Sequence, residues 1–498
     1  MLVVKRDWLG RKVDSDIWKG LAQRFDLHPT VARILAGRNI YQDNTVEGFL
    51  RIDRTGLYMP ELLHDVEKVV RRIRTAVERG EQIHVVGDYD VDGVSATTIM
   101  VKALRLAGAR NLTYHIPSRF TEGYGLSLDV VDAFAQAGGG LLITVDTGIT
   151  AMEQAIRVKQ LGNIDLVVTD HHNFGSDLPD TYAIVHPRYP RHNYAEKELC
   201  GAGVAFKLAH ALLGRLPEEL LELVALATVA DQVPLLGENR VLVREGLKKI
   251  NECPSLGMSA LLEASGLSGQ RIRSSHIAFQ LGPRLNSLGR LKEAGPAVEM
   301  FLTEDPNEAF RIAQELNEIN RFRKSIQARM EEEALEQIEQ NPQWLVKKTL
   351  VLFGQDWNEG LVGILAGRIA ERFHKPTLCL ARNGDIAKGS ARSIDGFDVY
   401  RALVESVQAE TGVFQKIGGH SHAAGFSLAI GDVERLREAF WEAGDEWWDE
   451  DVPDAHYLAD APINLEDITV GLVDLLEQLE PYGQKNPQPI FYVPYAKV

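Results

Sequence analysis

Ile83-His-Val-Val-Gly-Asp-Tyr-Asp-Val-Asp-Gly-Val94 is the stretch on which the fold turns. A short apolar run, Ile83 to Val86, is closed by a glycine, and three carboxylates, Asp88, Asp90 and Asp92, follow at alternate positions. That pattern reads as a buried strand ending in a tight turn. The next stretch, Val94 to Ala107, has no proline and is rich in alanine, leucine and threonine, so it reads as a helix. Acids at the carboxyl end of a parallel strand sit where open α/β sheets bind ligands. In an extended run the three side chains point the same way and repel one another unless something cationic lies among them. A divalent metal is the natural candidate. The plain alternative is a surface turn whose acids cap the following helix.

The pattern recurs along the chain. Leu141-Leu-Ile-Thr-Val-Asp146-Thr-Gly148 is a second apolar run ending in an acid and a glycine. Asp165-Leu-Val-Val-Thr-Asp170-His-His172 is a third, ending in an acid and two histidines. Leu226-Ala-Thr-Val-Ala-Asp231-Gln-Val-Pro234 places one more acid after an apolar segment, here a helix. One aspartate after a strand is usually a cap; several on successive strand ends, with a histidine pair among them, exceed what capping explains. Carboxylates and imidazole without thiolate favour Mn²⁺ or Mg²⁺ before Zn²⁺. His171 and His172 should point in roughly opposite directions if their segment is extended.

At 498 residues, 45% of them hydrophobic, the chain should hold two large units or more. No segment approaches the length of a transmembrane helix, and the first residues lack the apolar core of a signal peptide. Cys200, Cys253 and Cys379 share no metal-binding spacing and read as reduced core thiols of a cytoplasmic protein. A net charge of −16 argues on its face against a nucleic-acid partner. Screening confines that argument to about 10 Å at moderate salt, so a local basic channel can coexist with an acidic remainder. The remainder is concentrated late in the chain, with Trp447-Trp-Asp-Glu-Asp-Val-Pro-Asp454 as a solvated face or loop.

Strand-like runs alternate with amphipathic helices from residue 61, which implies βαβ units and a parallel sheet. We expect an N-terminal extension over 1–60 packed on a first α/β domain, 61–300, that includes a helical part. A long connecting helix should fill 301–345, where Gly and Pro are absent after Pro306 until residue 342. A second α/β domain should span 346–435, followed by an acidic C-terminal segment over 436–498.

The set GDYDVDG, VDTG, TDHH and TVADQVPL resembles the signature series of the DHH phosphoesterase family. Stretches 115–125 (HIPSRFTEGYG), 200–206 (CGAGVAF) and 279–290 (FQLGPRLNSLGR) are similar to its RecJ branch of single-strand-specific exonucleases. Stretches 357–364 (WNEGLVGI), 389–393 (GSARS) and 418–425 (GGHSHAAG) resemble the DHH-associated C-terminal domain. The resemblance implies two α/β domains joined by a long helix, with a two-metal crevice between them. It makes Asp90 and Asp92 primary ligands, one to each ion, with Asp88 ligating or orienting them. Asp146 becomes the bridging ligand, His171 a ligand and Asp231 the last of the set. His172 would face the phosphate, and Asp170 would fix a histidine by a hydrogen bond. Phosphate-grip candidates are Arg119, Arg284, Arg290 and Arg392, with Asn286, Ser390 and Ser393 beside them. Gly418 and Gly419 would let backbone amides approach phosphate oxygens, with His420 as a further donor.

What the resemblance implies is a monomeric 5′-to-3′ exonuclease that degrades single-stranded DNA to 5′-mononucleotides in repair and recombination, using two Mn²⁺ or Mg²⁺ ions. Single-strand-binding protein or a helicase would be further partners, and no membrane is involved. Members of that branch continue past a Pro-Tyr-Gly…Asn-Pro…Phe stretch, here residues 481–491, into an OB-fold, which we expect to be truncated or absent. Two other readings stand beside this one. One is a DHH phosphodiesterase of dinucleotides or short oligonucleotides, against which the RecJ-like stretches speak. The other is a non-catalytic replication scaffold, which would have no reason to keep a repulsive acid cluster.

Overall fold

A computed structural model of the chain describes residues 7–50, 52–190, 192–448 and 452–494. It divides into two compact units, Gly10–Asn320 with Ala459–Val498, and Arg321–Leu458 with Met1–Leu9.

The larger unit is built on five parallel strands: β1 (Ile83–Val86), β2 (Leu112–His115), β3 (Gly140–Val145), β4 (Ile164–Thr169) and β5 (Ala183–Val185). Their order is β2-β1-β3-β4-β5. The near-continuous apolar runs follow from burial on both faces. Val85, Ile143, Val145 and Val167 enter one core, while their neighbours Val86, Leu142, Leu166 and Val168 enter another. The chain moves from β1 outward to β2, then returns to the other side of β1 for β3. The direction of winding therefore reverses between β1 and β3, at the topological switch point where open sheets place their ligands.

Helix α1 (Val66–Arg79) precedes the sheet and α2 (Val91–Leu106) follows β1. α2 begins at Val91, three residues before the sequence reading placed it. The Asp90 carboxylate causes this, accepting the backbone N–H of Asp92 at 2.9 Å and of Gly93 at 3.1 Å as an N-cap. Beyond the sheet come α3 (Gly201–Leu213), α4 (Leu221–Ala230), α5 (Gly237–Glu252) and α6 (Gly282–Leu291). α4 is buried almost all round, which explains why its sequence is apolar without a polar face.

The expected N-terminal extension is three helices, Ser15–Phe25, Pro29–Gly37 and Asp43–Leu50; residues 1–6 lie outside the described set. Their apolar faces close over the C-terminal segment. Leu21, Ile34, Leu35, Val46 and Phe49 form one small core with Leu479, flanked by Leu475, Tyr482 and Phe491.

The long helix α7 (Pro306–Gln340) runs 35 residues, and the boundary between the units falls inside it. The smaller unit carries β6 (Leu350–Gly354), β7 (Thr377–Asn383), β8 (Ile386–Arg392), β9 (Phe414–His420) and β10 (Ala423–Ala429), in the order β9-β10-β8-β7-β6. Only β6 and β7 pair in parallel; the other neighbours are antiparallel. Helix α8 (Val362–Phe373) lies between β6 and β7 in sequence. Helix α9 (Val433–Trp447) crosses the boundary expected at 436, because Leu436, Ala439, Phe440 and Ala443 pack into this unit's core. The acidic stretch after it falls partly on residues 449–451, outside the described residues. Cys200 and Cys379 are buried as expected, but Cys253 is exposed, standing just past the end of α5.

Candidate metal centre

The carboxyl ends of β1, β3 and β4 bring their acids together at the switch point. Asp88 follows β1, Asp90 caps α2, and Asp92 lies in that helix's first turn. The three are therefore not one extended run with parallel side chains. The chain turns into the helix between them and distributes them over two neighbouring groups. Asp88 and Asp90 gather with Asp146 in one, and Asp92 gathers with His171 and Asp231 in the other. Asp146 also meets His171 and His172, so it stands between the two groups. Within each group the ligand atoms lie within 4.8 Å of one another.

His171 is the hub. Its Nε2 stands 3.2 Å from Asp146 Oδ1, 3.5 Å from Asp92 Oδ2 and 3.8 Å from Asp231 Oδ2. His172 does not point away from it. The rings are tilted by 53° with centroids 4.5 Å apart, and His172 Nδ1 comes within 3.9 Å of Asp146 Oδ1. The segment has left β4 and its backbone bends around Asp170, which undoes the alternation that an extended strand would impose. Asp170 Oδ1 accepts the amides of His171 (2.7 Å) and His172 (3.1 Å), and lies 2.8 Å from His172 Nδ1. Its Oδ2 takes the amide of Ile149 at 2.9 Å. Asp170 thus fixes both the loop and the His172 ring.

Burial and crowding set the charge states. Asp88 is buried beside Asp90, and its pKa is pushed up to about 8. Burial together with Asp92 and Asp90 raises Asp231 to about 9. Asp90 and Asp146 are raised by the same two causes, burial first and the neighbouring carboxylates second. Burial lowers the pKa of His171, leaving a neutral imidazole with a lone pair to give. At His172 burial works the same way, but Asp170 outweighs it and lifts the ring to about 9. Burial disfavours the Asp170 carboxylate too, and His172 overcomes it, holding the acid down at about 2.

These residues fit a divalent metal. Asp88 Oδ1, Asp146 Oδ1 and His171 Nε2 are buried and make no hydrogen bond. Buried polar atoms left in that state are costly, and such oxygen and nitrogen donors, two of them in groups that meet at Asp146, are what hard or borderline cations would satisfy. Asp92 is held differently: both its oxygens take backbone amides at the start of α3, Gly201 at 2.6 Å and Ala202 at 2.7 Å. The glycine is required there, because a β-carbon on Gly201 would stand 2.4 Å from Asp146 Oδ1. The Cys-Gly-Ala-Gly stretch was visible in the sequence; its contact with the acids needed the fold.

The phosphate-grip candidates fall into two sets, one in each unit. In the larger unit Arg119 lies over the Tyr89 ring, 4.3 Å from its centroid, beside the acid loop. Asn286 is turned to that loop as well, its Oδ1 accepting the Val91 amide at 3.2 Å. Arg284 donates to the Gln280 carbonyl in the turn before α6 at 2.6 Å and to Asn317 Oδ1 on α7 at 3.2 Å. Arg290 is half-buried near the end of α6. In the smaller unit, pairing aligns Ser390 with Gly425 and Gly418, and Arg392 with Ala423 and His420. The two glycine-containing motifs thus form neighbouring rows on one sheet. Arg392 donates to Ser390 Oγ at 2.9 Å, whereas Ser393 turns to the Phe397 carbonyl at 2.6 Å. Gly419 and His420 lie on the exposed edge strand. Tyr124, which sequence reasoning did not single out, stands with its hydroxyl 3.2 Å from His172 Nδ1.

The DHH family N-terminal domain matches residues 82–228, the DHHA1 domain 342–444 and the RecJ OB domain 459–498. The single-stranded-DNA-specific exonuclease RecJ of Salmonella typhimurium is 37% identical over 94% of this chain and 83% of its own. The chain belongs to the RecJ family. The Bacillus subtilis RecJ of the same description is 39% identical over 98% of this chain, which spans 62% of that relative's length. The crystal structure of RecJ in complex with Mn²⁺ from Thermus thermophilus matches with a TM-score of 0.82 at 29% identity, over 98% of this chain and 69% of that one. The RecJ OB match moves one expectation: it begins at residue 459, within the segment read as an acidic lead-in, and not beyond Phe491.

Proposed function

We propose that this RecJ-family chain is a metal-dependent exonuclease that hydrolyses single-stranded DNA from the 5′ end, releasing 5′-mononucleotides. The observation that carries the reading is the two neighbouring acid and histidine groups at the sheet's switch point, with Asp146 between them and three buried ligand atoms lacking partners. The named activity and the Mn²⁺ complex of its relatives support it.

In this reading Asp88, Asp90 and Asp146 would hold one ion and Asp92, His171 and Asp231 the other, with Asp146, which also meets His171, placed between the two. When bound, the two ions polarise the phosphoryl oxygens and lower the pKa of a water. The protein's own residues do the positioning. The α3 amides aim Asp92, Asp170 orients His172, and His172 offers a charged donor to a phosphoryl oxygen. Arg392, with Ser390 beside it, is the phosphate grip of the smaller unit. No helix among the described residues is long and apolar enough to cross a membrane, and a cytoplasmic place on DNA suits the chemistry.

Digestion of 5′- and 3′-labelled single strands, duplexes and dinucleotides with Mn²⁺ or Mg²⁺ tests the proposal. Mononucleotide release from the 5′ end of single strands is expected. Cleavage restricted to dinucleotides, or no cleavage by metal-loaded protein, would overturn it.

A further inference from the structure

His186-Pro-Arg188 follows β5 directly and belongs to none of the motifs read above. His186 is buried to 1% exposure, its ring edge-on to Phe174 with centroids 5.0 Å apart. Its Nδ1 accepts the backbone N–H of Arg188 at 3.0 Å, so the ring proton resides on Nε2. Nε2 in turn donates to the backbone carbonyl of His172 at 3.0 Å. Arg188 uses the two prongs of its guanidinium on the flanking residues, Nη1 to Asn173 Oδ1 at 3.0 Å and Nη2 to the carbonyl of His171. Three consecutive residues, two of them imidazoles of the cluster, are thereby gripped from the β5 side. Asp170 takes the amides of His171 and His172. Both the N–H and the C=O groups of His171 and His172 are therefore committed. Just beyond it the loop is exposed at Gly175, Ser176 and Asp177.

We propose that His186 and Arg188 are positioning residues that set the His171 imidazole for metal binding and hold the His172 imidazole beside it. The inference rests on the reading of the acid–histidine cluster as a metal centre. Imidazole placement follows its backbone, and a ligand held by committed peptide groups need not be ordered when the ion arrives. Neither residue reaches the ion; each acts through a carbonyl.

Calorimetric titration with Mn²⁺ alone, on the full chain and well below its melting temperature, separates this from a purely structural role. In His186→Asn the side-chain oxygen replaces Nδ1 as acceptor, but the donor no longer reaches the His172 carbonyl. In His186→Gln the terminal amide replaces Nε2 and restores that donor. Arg188→Met keeps the apolar stem and removes the fork; its half-exposed position makes it the safer variant should His186→Asn fail to fold. Outer partners of metal-bound histidines affect affinity by about 10–100-fold, so His186→Asn and Arg188→Met should weaken the Mn²⁺ Kd in that range. His186→Gln should return it to within a few-fold of the parent. A fold-only role would lower the melting temperature in chelator and leave the Kd at its parental value, and that result overturns the proposal. Absence of Mn²⁺ binding by the parent chain would instead remove the metal centre, and the positioning role with it.

Discussion

Asp146 holds a left-handed backbone, φ 60°, in which a β-carbon is strained unless the residue is Gly, Asn or Asp. Asparagine is therefore the informative replacement, since it keeps the backbone and the shape and removes only the charge. Asp146→Asn should abolish nuclease activity and raise the melting temperature in chelator, because one member of a mutually repelling set is gone. Nuclease assay and thermal melts on one preparation check both; retained activity would remove Asp146 from the centre. The same repulsion has a pH signature. Asp88 and Asp231 are raised to about 8 and 9, so the unfolded chain loses their protons first as pH rises above about 4. His172, raised to about 9, acts in the same direction above about 6.5, and the opposing effect of the lowered His171 is complete by then. Metal-free protein should lose stability steadily from pH 6.5 to 9, and saturating Mn²⁺ should remove the part of the slope that Asp88 and Asp231 contribute. Melting curves across that range in chelator and in Mn²⁺ measure it. At this scale the residue types were legible in the sequence, since alternating acids and a histidine pair name their chemistry. Their directions were not. The expectation of opposed histidines failed because Asp170 bends the backbone from within the same motif, a contact between neighbours that strand periodicity does not describe.

Strands read directly as apolar runs because both faces of the parallel sheet are buried, and the long α7 helix follows from an absence of breakers. The packing of one element on another was hidden. α6 carries the Pro-Arg-Leu-Asn-Ser-Leu-Gly-Arg stretch that drew attention for its arginines, yet its visible work is to support the acid loop. Asn286 accepts the Val91 amide, and a β-carbon on Gly289 would stand 2.5 Å from the Tyr89 carbonyl oxygen. That obstacle is backbone and cannot swing aside as a flexible side chain would. Gly289→Ala should therefore displace the loop between Asp88 and Asp90, at a stability cost of about 1–3 kcal/mol for an overpacked contact. Activity should fall with it, and Mn²⁺ affinity should weaken even in protein that remains folded. Wild-type Mn²⁺ affinity and turnover in Gly289→Ala would show that the loop does not depend on the approach of α6.

The larger unit is closed by segments from both ends of its sequence, which a linear reading separates into an extension and an acidic tail. Arg38 joins them: its side chain is 3% exposed, donates to the Pro487 carbonyl at 2.7 Å, and stands 3.4 Å from Asp460 Oδ2, with a further bond to Asn486. Arg11 approaches the other Asp460 oxygen at 3.5 Å. Arg240, stacked 4.0 Å over Phe49, donates to the carbonyls of Phe49 and Pro481, both at 3.3 Å, and burial lowers its pKa to about 9. Two buried guanidiniums thus tie the N-terminal helices to the segment that matches the RecJ OB domain. Charge composition marked this stretch only as part of an acidic C-terminal segment, because the basic partners of Asp460 lie hundreds of residues away in sequence. Arg38→Met should cost about 3–5 kcal/mol, since it leaves the Asp460 carboxylate, itself 5% exposed, with the Ile490 amide at 3.1 Å and, for charge, the longer contact to Arg11. The loss should be shared. Hydrogen exchange should show residues 15–50 and 459–491 losing protection together, while β1, β3 and β4 keep theirs, because the small core around Leu35 and Leu479 is distinct from the two that sandwich the sheet. Nuclease activity per folded molecule should then change little. Loss of protection confined to residues 15–50, with 459–491 unaffected, would show that the two segments do not form one cooperative body.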